Sequence, residues 1–116
     1  MSREFFFTAE EIRKLRRVTL DELKELTGDL DSLLGRLREP AEAGAAAERL
    51  GRIFHTIGGS AALAGFEGIS DAGCELESLM GDSTRKKSFN PGTIDRIADL
   101  AGSLKRLIAE KETAEG

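Results

Sequence analysis

The sequence predicts an all-α protein, an up-down four-helix bundle with a short additional helix at its N-terminus. Three observations predict it. Apolar residues recur at spacings of three and four in separate stretches along the chain. Only two prolines occur among 116 residues, and Trp and Tyr are absent, while Ala, Leu, Glu, Arg and Lys are plentiful; that composition favours helix. Each stretch carries one apolar face and is followed by a short break, so the economical packing is a bundle with short connections. The chain reads as a single domain over residues 1–116. Its core spans about residues 8–110, with flexible termini.

The first helix opens at Thr8-Ala9-Glu10-Glu11, a capping box with Thr8 as N-cap and Glu11 reaching back. Ile12 and Leu15 follow at helical spacing. Thr19-Leu20-Asp21-Glu22 has the composition of a second capping box. Either a short helix precedes a long one, or one helix bends near Val18. The stripe Leu23, Leu26, Leu30, Leu33, Leu34, Leu37 then runs to Glu39-Pro40. There the residue before proline is pushed out of helical geometry. Phe5-Phe6-Phe7, ahead of the first helix, reads as an apolar flap packed on the bundle.

An alanine-rich lead over residues 41–47 enters the second long helix, whose apolar stripe is Leu50, Ile53, Phe54, Ile57, Ala61 and Ala64. The chain turns near Gly65. Phe66, Ile69, Leu76 and Met80 mark the next helix, which Gly81-Asp82-Ser83 is expected to stop. Residues 84–89 read as a loop holding the basic run Arg85-Lys86-Lys87. Asn90-Pro91 restarts the helix, Asn as N-cap and Pro at the first helical position. Ile94, Ile97, Ala101, Leu104, Leu107 and Ile108 form the last stripe, and the chain is expected to fray from about Glu110 onward.

Composition narrows the function. A net charge of −4 and a pI near 5.1 leave no footprint for nucleic acid. Arg85-Lys86-Lys87 reads as a solvated loop run, or as a means of steering an acidic partner. No apolar run approaches the roughly 18 residues of a membrane span, and Phe5-Phe6-Phe7 is too short for a signal-peptide core. The single cysteine, Cys74, has no internal partner and fits a reducing, cytoplasmic setting. It reads as a small buried or boundary residue.

The only histidine, His55, lies in Leu50-Gly51-Arg52-Ile53-Phe54-His55-Thr56-Ile57-Gly58-Gly59-Ser60-Ala61. Each glycine inside a helix costs roughly 1 kcal/mol relative to alanine. Adjacent glycines there point to a surface where something must come close. With Leu50 at zero and about 100° per residue, the core stripe lies within about 60° and His55 near 140°. Its neighbours on that outer face are Glu48, Gly51, Arg52, Gly58, Gly59 and Ala62. The imidazole therefore projects from a surface trimmed nearly to backbone.

Several chemistries fit one such imidazole badly. A zinc site needs three or four ligands, and no second histidine exists. No Gly-x-Ser-x-Gly elbow is present for a Ser-His-Asp triad. General base catalysis asks for a pocket, which a convex helix face does not offer. Nucleophilic transfer remains. Histidine is the side chain that titrates near neutrality, so an exposed imidazole offers a lone pair at pH 7. It can attack an activated phosphorus presented by another protein.

The residues His55-x-x-Gly58-Gly59-Ser60-Ala61-x-x-x-Gly65-Phe66, followed by Cys74-x-Leu76-Glu77, resemble a histidine-containing phosphotransfer (HPt) domain. The similarity covers about residues 50–80, and the helix layout fits the whole chain. It implies a four-helix bundle in which His55 is phosphorylated at Nε2 and exchanges the phosphoryl group with the aspartate of a response-regulator receiver domain. Such a domain is a phosphohistidine carrier without a catalytic centre of its own. The chain itself is expected to bind no cofactor or metal, the Mg²⁺ being the receiver's. Glu77 matches the position that accepts a hydrogen bond from histidine Nδ1. Gly51, Arg52, Gly58, Gly59 and Ala62 would form the partner-docking surface. The implied partners are a receiver domain and a sensor histidine kinase, met by a monomer.

One position departs from the family. Lysine usually stands where this chain has Gly58, and it helps hold the phosphoryl group. Arg52, one turn earlier on the outer face, is the candidate substitute. Gly58 also leaves open a docking module that binds receivers without taking phosphate. The Glu77 match leaves open the phospho-accepting domain of a larger chemotaxis-type kinase.

Overall fold

In a computed structural model the chain is described over residues 7–86 and 89–115, and all of its regular structure there is helical. Helix α1 spans Ala9–Leu26 and passes through a 3-10 turn, Thr27–Asp29, into α2, Leu30–Arg36. Then come α3, Ala43–Leu63; α4, Glu67–Lys86; and α5, Pro91–Glu115. Taken with α2 as one arm, α1 makes the bundle four arms deep. Phe5, Phe6 and Lys87 lie outside the described residues. Phe7 is 58% exposed and does not pack as a flap.

The first capping box forms as the spacing predicts. The Glu11 N–H donates to Thr8 Oγ1 at 3.0 Å, and the Thr8 N–H donates to Glu11 Oε1 at 2.8 Å. The second does not. An additional short N-terminal helix is not distinguished, because α1 is continuous through Val18 and Thr19. The backbone N–H groups after Thr19 are already bonded within the helix, so its side chain has none to cap. Thr19 is instead buried with Leu20 and Leu23. The break falls at Thr27–Asp29, and the stripe resumes with Leu30, Leu33, Leu34 and Leu37, all buried.

The α3–α4 turn explains Gly65. Its φ of 81° lies in the left-handed region, where side chains rarely go. The Gly65 N–H donates to the Ala62 carbonyl at 3.1 Å, and the Phe66 N–H to the Ala61 carbonyl at 2.8 Å. These two bonds close a Schellman motif and reverse the chain. Phe66 is buried beneath it, with the Arg16 guanidinium 4.5 Å above the ring.

Two ends differ from the sequence reading. Helix α4 continues past Gly81-Asp82-Ser83 to Lys86, because Met80 and Ser83 on its inner face are buried. Helix α5 starts at the Asn90 cap, whose Oδ1 accepts from the Thr93 N–H at 2.9 Å, but it does not fray at Glu110. Ion pairs Glu112–Lys24 at 3.3 Å and Glu115–Arg16 at 3.2 Å dock its last turns on α1. Phe54, Phe66, Leu23, Leu50, Ile57, Leu76, Ile97 and Leu104 fill the centre of the core.

Candidate functional site

The site begins with how closely α3 and α4 pack. A Cβ on Gly73 would stand 2.9 Å from the Gly58 nitrogen and 3.2 Å from the Phe54 carbonyl oxygen. Backbone therefore meets backbone at this level. Ser70 fixes the register, its hydroxyl donating to the Gly58 carbonyl at 2.9 Å. From Gly73 the α4 helix carries Cys74 and then Glu77, one turn on, along the outer edge of α3.

That edge holds His55. Its side chain is 75% exposed, as the angular count expects, and Nδ1 lies 2.8 Å from Glu77 Oε2. A carboxylate only accepts, so the proton of this hydrogen bond sits on Nδ1. Nε2 then carries the free lone pair of the neutral ring and faces away from Glu77. The arrangement favours one tautomer and orients the ring of an exposed side chain, with Nε2 left free of this bond.

Gly59 and Ala62 are exposed beyond His55, and nothing lies within 4 Å of a Cβ placed on Gly59. Gly51 is half-buried, also with open space at its Cβ position. Arg52 is exposed, its Nη1 donating to Glu48 at 2.9 Å. Gly58 is a correction. It is buried, not on the outer face. At about 80° from Leu50 it would be marginal on an isolated helix, but α4 covers it. A Cβ there would meet Cys74 Sγ at 3.1 Å. Gly58 therefore serves the α3–α4 contact.

Two further features were not legible in the sequence. The imidazole stands on the rim of an open groove of about 970 Å³ between α3 and α4, not on a plain convex face. Cys74 is exposed, not the buried or boundary residue expected, and lines this groove with Ser78, Gly81, Thr84 and Arg85. The Cys74, Ser78, Gly81, Arg85 spacing of four and three is the signal that would have found it, had the helix not been ended at Gly81. Among the described residues no three His, Cys, Asp or Glu side chains converge to hold a metal ion, and no helix is long and apolar enough to cross a membrane.

Comparison with curated proteins and with solved structures finds no match. The family model of the Hpt domain matches residues 14–112, nearly the whole chain. Members of this family are phosphotransfer carriers in phosphorelays, not catalytic enzymes, and they interact with receiver domains and histidine kinases. With a helical bundle that presents a histidine on an open face, and with the family pattern matched from within α1 into the last turn of α5, the chain belongs to the Hpt domain family.

Proposed function

We propose that His55 is the phospho-accepting residue and exchanges its phosphoryl group with the aspartate of a receiver domain. The observation that carries this reading is the 2.8 Å hydrogen bond between an exposed His55 Nδ1 and Glu77 Oε2. In the transfer, the Nε2 lone pair attacks the phosphorus of the receiver's aspartyl phosphate. The N–P bond forms, the P–O bond to the aspartate breaks, and the carboxylate leaves with the electron pair. The ring keeps its Nδ1 proton and becomes positive, and the Glu77 carboxylate offsets that charge at hydrogen-bond distance. The receiver's own Mg²⁺ would supply charge neutralisation for the transfer; this chain contributes His55 and Glu77.

Gly51, Gly59 and Ala62 leave little bulk around the imidazole and Arg52 adds a cation to the same face, which suits the approach of a receiver's loops to Nε2. Gly58 takes no part in that surface and supports it from beneath. The lone cysteine fits a reducing cytoplasm, and a monomer suffices because His55 and Glu77 come from one chain.

Incubating the chain with a phosphorylated receiver tests the reading. Acid-labile phosphate is expected on the wild type and absent from His55→Gln. No transfer from any of several receivers contradicts it. Gly58 favours one second reading, a receiver-docking module that does not take phosphate, because the family's usual ammonium is missing next to His55. Under that reading His55→Gln leaves receiver-dependent signalling output unchanged.

A further inference from the structure

We propose that Arg52 and Arg85 form a two-guanidinium clamp for the phosphoryl group on His55, in place of a cation at position 58. The clamp rests on the reading of His55 as the phospho-accepting residue.

Position 58 cannot supply that cation without moving Cys74, because Gly58 is buried against α4. The groove beside His55 supplies two others. Arg52 and Arg85 are the cations that line it, one from each helix. Arg52 lies three residues before His55 on α3. Arg85 lies two turns beyond Glu77 on α4, but helical side chains lean toward the N-terminus. Its Nη1 reaches back to 3.6 Å from the place a Gly81 Cβ would take. The missing side chain at Gly81 thus leaves room for the guanidinium to lie over the groove toward Glu77. Gly51 clears the facing wall, with nothing within 4 Å of its Cβ position.

The helices run antiparallel through the Gly65 turn, so stepping back from His55 to Arg52 matches stepping forward from Glu77 to Gly81. Both arginines therefore lie on the same side of the imidazole, Arg85 leaning toward it, while the Arg52 guanidinium, bonded to Glu48, leans away and must swing back to reach the phosphoryl group. Each is parked on a carboxylate of its own helix, Arg52 on Glu48 and Arg85 on Asp82. Exposed pairs of this kind contribute little, so they exchange readily for a stronger anion. A phosphoryl group brings nearly two negative charges and three acceptor oxygens, which guanidiniums bind bidentately. Ser78 and Thr84, also in the groove, add hydroxyl donors.

The test loads the full chain with phosphate from potassium phosphoramidate and follows the ³¹P resonance of phosphohistidine against pH. Removing two cations from beside the phosphoryl group raises the midpoint of its last ionisation. The double variant Arg52→Gln/Arg85→Gln is expected to shift that midpoint up by about 0.5 unit or more. Arg85→Lys in the Arg52→Gln background keeps a cation on α4 and shifts the midpoint less than the double variant does. Arg38→Gln, which breaks only the surface pair with Asp95, leaves it in place. Both clamp arginines are exposed, so the helical circular dichroism of the variants stays that of the wild type. A wild-type midpoint in the double variant overturns the clamp and leaves His55 as the acceptor. Failure of wild-type His55 to load overturns both.

Discussion

Gly73 and Gly58 bring α4 and α3 into backbone contact, a Cβ on Gly73 standing 2.9 Å from the Gly58 nitrogen. The obstacle is main chain and cannot swing aside. Gly73→Ala is therefore expected to destabilise the fold by about 1–3 kcal/mol despite alanine's better helix propensity. Denaturant unfolding of the variant checks this as a lower midpoint with an unchanged slope.

Gly59 follows Gly58 in α3 under the opposite condition. Its Cβ position is open. Gly59→Ala is expected to stabilise the protein by about 0.5–1 kcal/mol, the ordinary gain for an exposed helix position. On the proposed docking face, the same methyl group would stand in the path of a receiver approaching His55. Phosphotransfer is expected to slow by about tenfold, since small misplacements at a reacting pair carry large rate costs. Stopped-flow transfer rates and thermal melts on one sample test both halves, and a faster or unchanged transfer rejects the docking role of this face.

On the proposed reading, Glu77 acts through His55. Glu77→Gln keeps the side chain's size but loses the carboxylate charge that offsets the ring cation. Transfer is expected to fall by about 10–100-fold, the usual effect of removing a group that orients a histidine. Because Glu77 lies at the rim and not in the core, the melting temperature is expected to move little. A large loss of stability with normal transfer in the folded fraction assigns Glu77 a structural role instead.

How much was legible in the sequence follows from which signals are local. The Thr8 and Asn90 caps, the Gly65 turn and the leucine stripe of the first arm depend on residues within a few positions of one another, and they fold as read. The outward direction of His55 needed only the helix period. Thr19, Gly81 and Glu110 misled for one reason. Each resembles a helix end locally, while its helix is held by packing on distant parts of the chain: through buried Leu23 on α1, through buried Ser83 on the inner face of α4, and through Arg16 and Lys24 across from α5. Gly58 and Gly59 are alike in sequence and opposite in setting, a difference that only the position of α4 decides. The groove and the exposure of Cys74 belong to the same interhelical geometry.

Arg16 makes the α5 ending testable. Its guanidinium stacks on Phe66 and pairs with Glu115. Arg16→Ala is expected to cost about 1 kcal/mol, from the lost stacking together with a partly buried ion pair. Amide exchange over residues 111–115 should accelerate selectively. Equal protection there in both proteins contradicts the docking of the last turn by this pair.

The proposed transfer through His55 requires the phosphoryl group on one particular imidazole nitrogen. Long-range ¹H–¹⁵N NMR of ¹⁵N-labelled, phosphorylated protein reads it directly, through ³¹P coupling to one ring nitrogen and the proton on the other. Phosphorus on Nε2 of His55, with Nδ1 protonated toward Glu77, is the predicted result. Phosphorus on Nδ1, or a phosphorylated protein whose His55 carries none, contradicts it.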